Sequence, residues 1–114
     1  FRKKLAELAL RRADFKEAQR WAMEALYINI QDAPMHATRA AALAAQTKQD
    51  EAAKEYGYAL QIDTDQLAWR LALARIYVEM GKKEEAESEL QKIQEKNQSF
   101  PGVAELLEEI RKTD

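Results

Sequence analysis

Few residues of this chain have the types and spacing that chemistry demands. The single histidine, His36, has no second His and no Cys to complete a metal site, so a structural imidazole is expected there rather than a ligand or base. The absence of cysteine removes thiolate ligands, a thiol nucleophile and disulfides together. Carboxylates cluster at Glu84, Glu85, Glu87 and Glu89 and again at Glu105, Glu108 and Glu109. Such runs are the mark of a solvated helix face, not of an acid–base pair. Neither G-x-x-x-x-G-K-S/T nor G-x-G-x-x-G occurs, so no phosphate cradle is expected. The residues therefore predict no catalytic group, no metal and no cofactor, and they direct attention to surface rather than reaction.

The elements that would present such a surface are helices. The chain has 114 residues, 46% hydrophobic and 33% charged, with only three Gly and two Pro to punctuate it. Residues that lose little freedom in a helix (Ala, Leu, Glu, Lys, Arg, Gln) dominate. An all-α class follows, and the pattern predicts about seven helices near 2–12, 15–30, 34–47, 50–62, 66–80, 83–96 and 101–112. Asp14, Asp32, Asp50 and either Thr64 or Asp65 stand where N-caps are wanted, Gly81 stands where a helix stop needs positive φ, and Pro34 and Pro101 are expected to open helices. No β-branched alternation supports a strand. No apolar run approaches the ~18 residues of a membrane span.

Charge is distributed unevenly. Residues 1–48 hold nine Lys/Arg against five Asp/Glu, whereas residues 49–114 hold nine against fifteen. Arg2, Lys3, Lys4, Arg11 and Arg12 make a basic end, but the overall pI of about 5.6 and the lack of a continuous basic stripe argue against nucleic acid. The first residue is Phe1, not Met, which reads as a segment of something larger.

Sliding the sequence against itself locks at an offset of 34. Ala6, Ala40 and Ala74 superpose, as do Ala18, Ala52 and Ala86, with Glu17, Glu51 and Glu85 beside them. Small side chains recurring at a fixed period mark places where helix axes approach to about 8–10 Å. This pattern resembles the tetratricopeptide repeat. The third unit resembles it best: Leu73-Ala74-Arg75-Ile76-Tyr77 looks like the family's L-G-x-x-Y, with Gly81 at the turn and Ala86-x-x-x-Leu90 for A-x-x-x-F. The second keeps Ala40, Leu43, Ala52, Tyr56 and Ala59 but has Arg39 where Leu is usual, and the first is weakest, with Ala9 and Ala22 at positions usually aromatic.

The resemblance implies a right-handed α-solenoid of antiparallel helix pairs, a single domain over 1–114 with repeats at about 1–32, 33–66 and 67–98 and a capping helix over 99–114. It implies a protein-interaction module whose concave groove, lined by the first helix of each pair, takes a peptide or protein segment. Carried across by register, that lining is Lys3, Glu7 and Arg11 from the first unit, Ala37, Thr38, Ala41 and Ala45 from the second, and Leu71, Ala72, Arg75 and Val78 from the third. Family members that clamp a chaperone C-terminal carboxylate do so from positions matching Lys3, Glu7, Thr38, Ala68 and Ala72. Only Lys3 fits, and Glu7 would repel the carboxylate. A second reading is an accessory domain of a larger protein, a bacterial hydrolase or peptidase for example, packing on its parent or self-associating through an open N-terminal end where Phe1 and Trp21 are exposed.

Overall fold

The computed structural model describes residues 1–112. Among these every regular element is a helix: α1 (Arg2–Arg11), α2 (Phe15–Ile28), α3 (Ala33–Ala45), α4 (Gln49–Ile62), α5 (Leu67–Glu79), α6 (Lys83–Lys96) and α7 (Val103–Lys112). The chain folds as two compact units, Phe1–Asp65 with α1 to α4 and Gln66–Asp114 with α5 to α7.

The period of 34 is written in the backbone as well as in the side chains. Ala13, Thr47 and Gly81 take left-handed conformations with φ of 61°, 62° and 77°. Each lies just past a helix end, and each closes the same pair of bonds. Ala13 N–H donates to the Leu10 carbonyl and Asp14 N–H to that of Ala9; Thr47 and Lys48 do the same to Ala44 and Leu43, and Gly81 and Lys82 to Val78 and Tyr77. This is the Schellman arrangement, which satisfies carbonyls otherwise left open at a helix C-terminus. The other kind of stop also repeats: Asn29, Asp63 and Asn97 are extended, with φ of −144°, −131° and −154°, and end α2, α4 and α6.

The first unit buries small residues where its helices cross. Ala6, Ala22, Ala25, Leu26 and Met35 form one cluster beneath Trp21, and Ala9, Ala18 and Ala42 form another with Leu10 and Phe15 against it. Between α3 and α4, Ala40, Leu43, Ala52, Tyr56, Ala59 and Leu60 are buried. In the second unit α5, α6 and α7 share a core of larger residues. Leu71, Leu90, Ile93, Val103, Leu106 and Ile110 surround Ala74 and Ala86 there. Ala18, Ala52 and Ala86 are each 0% exposed, as close helix approach requires.

Several helix ends differ from the sequence reading. The N-cap of α4 is Lys48 rather than Asp50, because the Schellman turn at Thr47 commits the chain to a helix two residues earlier. Gln66, not Thr64 or Asp65, caps α5. Pro101 does not open α7, since Gly102 follows it at φ 94°, outside helical space, and the helix starts at Val103. Asp32 behaves as expected: its side chain accepts from Met35 N–H at 3.3 Å, and Pro34 sits in the first turn of α3 where no N–H is required.

Candidate functional site

The residues expected to line a groove lie in both units. In the first unit Glu7 and Arg11 are exposed on α1, Ala45 is exposed on α3, and Thr38 and Ala41 are half-buried. Ala37 is buried, so it forms part of the wall and not of its surface. Lys3 is not a free cation: its ammonium pairs with the buried Asp32 carboxylate, the N-cap of α3. The Thr38 hydroxyl donates back to the Pro34 carbonyl at 3.0 Å. What remains is a row of small side chains on α3, at Thr38, Ala41 and Ala45, with Glu7 and Arg11 exposed on α1.

In the second unit the expected residues sit differently. Leu71 is buried in the core beneath α7, and Val78 packs half-buried against the same cluster. Ala72 is half-buried and Arg75 is exposed. Arg75 borders a small cavity of about 340 Å³ with Gly102, Glu105 and Glu109. A Cβ on Gly102 would lie 2.9 Å from Leu71 Cδ2 and 3.1 Å from the Arg75 guanidinium, so α7 begins hard against α5.

A large cavity of the first unit was not foreseen. It occupies about 830 Å³ between α2 and α4 with α3 as its floor. Its rim carries Met23, Tyr27, Ile30, Tyr58 and Ile62, all exposed despite their apolar bulk. Its floor holds a buried charge cluster. Glu55 takes His36 Nδ1 on Oε2 at 2.7 Å and the Arg39 guanidinium on Oε1, while His36 Nε2 lies 2.8 Å from the Ile30 carbonyl. The Tyr58 ring meets that imidazole edge-on at 5.8 Å. His36 is buried and tied into a network that joins α3, α4 and the α2–α3 connection. A second, smaller cavity of about 350 Å³ lies further along α2, lined by Lys16, Gln19, Arg20, Met23, Gln46 and Lys48.

Burial raises the Tyr56 phenol above its ordinary value; Tyr77 is raised by burial first and then by the charges of Glu89 and Glu85. Among the described residues no cluster of three or more His, Cys, Asp or Glu is placed to hold a metal, and no helix is long and apolar enough to cross a membrane. Trp21, expected at an exposed N-terminal end, is half-buried on the Ala6 cluster with the Arg20 guanidinium 4.5 Å above its ring. Phe1 is fully displayed, at 94% exposed.

The profile of the tetratricopeptide repeat matches residues 43–110, more than half of the chain. The chain belongs to the tetratricopeptide repeat family. As a tetratricopeptide repeat chain it is similar to solved structures along nearly its whole length. The TPR domain of Arabidopsis OM64 superposes with a TM-score of 0.92 at 18% identity, over 99% of this chain and 93% of that one. The type III secretion chaperone SycD of Yersinia enterocolitica, in complex with a peptide of the translocator YopD, gives 0.81 at 21% identity, over 97% and 85%. The second TPR domain of human RPAP3, in complex with the HSP70 peptide SGPTIEEVD, gives 0.90 at 17% identity, over 96% and 92%. At these identities the likeness shows the fold alone. No curated protein sequence matches the chain.

Proposed function

We propose that this chain is a protein-interaction module that takes a peptide or protein segment on the face presented by α1 and α3, the first helices of the pairs in its first unit. The observation that carries the reading is the row of small, accessible side chains Thr38, Ala41 and Ala45 on α3, which packs against α1, the helix that exposes Glu7 and Arg11. Small side chains let a ligand approach a helix closely, and flanking charges of both signs give it orientation. Similar domains in complex with an HSP70 peptide and with a peptide of the translocator YopD support the class of ligand. The details of this face set it apart from a carboxylate clamp. Lys3 is already committed to Asp32, and Glu7, which the register matches to a clamp position, would repel a carboxylate.

A peptide array screened with the purified chain tests this. Binders found by the wild type should be lost in Ala41→Trp, which fills the strip, and weakened in Arg11→Glu, with circular dichroism showing both variants folded. Binders that ignore both changes would place the ligand elsewhere and refute the proposal.

A further inference from the structure

Both cavities of the first unit open on α2, on a surface distinct from the strip just described, and they share one residue, Met23. They therefore adjoin at that side chain, one on either side of it along the helix. The two differ in chemistry. At the end near the start of α2, Lys16, Arg20 and Lys48 line the wall. Glu17 offsets Arg20 at 3.1 Å, whereas Lys16 and Lys48 are exposed and form no ion pair among the described residues. Glu51, one turn along α4 from Lys48, is exposed but lines neither cavity. At the other end no charge reaches the rim. The exposed apolar groups Tyr27, Ile30, Tyr58 and Ile62 stand there with Gln31 and Gln61, and on the floor Glu55 pairs with His36 and Arg39.

The walls are fixed rather than adaptable. Gln46 joins α3 to the start of α2 by donating to Gln19 Oε1 at 2.9 Å and to the Ala42 carbonyl at 3.1 Å. At the apolar end the Glu55 cluster holds α3 to α4 and to the Ile30 carbonyl. A preformed groove between two helices, basic at one end and apolar at the other, is a template for an amphipathic helix of complementary layout.

We propose that the α2–α4 groove of the first unit binds a helical segment of a partner protein that carries an apolar anchor at one end and acidic residues at the other. The anchor enters between Tyr27, Tyr58 and Ile62, and the carboxylates meet Lys16 and Lys48. From residue 16 to residue 27 a helix climbs about 16 Å, so the two features are separated by roughly three turns on the partner.

Synthetic alanine-based helical peptides test this by fluorescence anisotropy. One set carries a Trp–Leu pair at one end and a Glu pair about three turns away, in both chain directions; control sets have Lys for Glu or Ala for Trp and Leu. The Glu peptide in one direction should bind, losing more than about tenfold when the anchor is removed and about three- to tenfold when Glu becomes Lys. Ile62→Asp and, independently, Tyr58→Lys should abolish binding, both being exposed positions. The double variant Lys16→Glu with Lys48→Glu should prefer the Lys peptide, a reversal that misfolding does not produce. Ala41→Trp should leave all of this unchanged, which separates the groove from the α3 strip. No binding of any peptide up to about 1 mM, or binding indifferent to Ile62→Asp and Tyr58→Lys, overturns the proposal. So does light scattering that reveals a dimer dissolved by Ile62→Asp, since the occupant would then be a second copy of this chain.

Discussion

The recurring left-handed turn offers a test in which sequence and backbone disagree. At the same structural position, glycine occupies one repeat and side-chain-bearing residues occupy the other two: Gly81, Thr47 and Ala13, all with φ between 61° and 77°. A Cβ built on Gly81 meets nothing within 4 Å, so Gly81→Ala imposes a backbone penalty with no steric contribution from neighbours. Left-handed backbone costs a non-glycine residue ~1–2 kcal/mol, and the smaller freedom of unfolded alanine returns ~0.4–1 kcal/mol. The net loss is about 0.5–1.5 kcal/mol. Thr47→Gly should gain a similar amount, because the same penalty is relieved at a β-branched residue, less the exposed bond from the Thr47 hydroxyl to the Gln46 carbonyl. The chain's two tryptophans, Trp21 and Trp69, lie one in each unit, so each reports its own unit's urea transition when the other is replaced by Phe. With a urea slope of ~1–3 kcal/mol/M, midpoints should shift by about 0.3–1 M, downward for Gly81→Ala through Trp69 and upward for Thr47→Gly through Trp21. An unchanged midpoint in Gly81→Ala, or a fall in Thr47→Gly, would refute the idea that these turns are strained alike.

Ala52→Leu adds bulk where the side chain is 0% exposed between α3 and α4 and should lower stability by ~1–3 kcal/mol, read as a fall in melting temperature; an unchanged melting curve would tell against the repeat register. Glu55→Leu leaves Arg39 without its counter-charge and His36 Nδ1 without its partner and should cost ~3–5 kcal/mol, with little dependence on salt because the groups are largely buried. Tyr56 is held neutral by burial: its folded pKa is raised, so its contribution is complete below the unfolded value near 10.0 and vanishes as pH climbs through the folded value. Alkaline titration of stability should therefore be less steep in Tyr56→Phe than in the wild type, and identical slopes would be evidence against a buried, neutral phenol.

The fold was legible because its determinants are local and repeated. Ala18, Ala52 and Ala86 mark the crossings by spacing alone, and all three are fully buried. Helix starts were less legible, since Lys48, Lys82 and Gln66 cap helices without any side-chain bond to the first turn and so leave no residue-type signal. The groove between α2 and α4 was illegible for a different reason. Its parts, Met23, Ile30, His36 and Tyr58, come from three helices and one connection, and only the tertiary arrangement joins them. One clue stood in the sequence: Arg39 occupies a position where the family usually has Leu. A charge at an apolar site needs a buried partner. Glu55, sixteen residues away, provides it.

The alanines and the buried charges have different tasks. Alanine at a crossing permits close approach but specifies little, because a smooth surface loses few contacts when one helix slides a turn, about 5.4 Å, along another. A close ion pair loses more than half of its attraction over the same displacement. In the first unit the ion pairs fall where sliding would otherwise be least resisted. Lys3 of α1 reaches Asp32 at the head of α3, and Glu55 of α4 gathers His36 and Arg39 from α3. The alanine-rich helix α3 is therefore pinned on both sides by charge, whereas the second unit, with Leu90, Ile93, Val103 and Leu106 interlocking around Ala74 and Ala86, obtains its register from shape. The same pinning that fixes α3 also sets the floor of the α2–α4 groove, so register and binding surface in the first unit rest on one set of side chains.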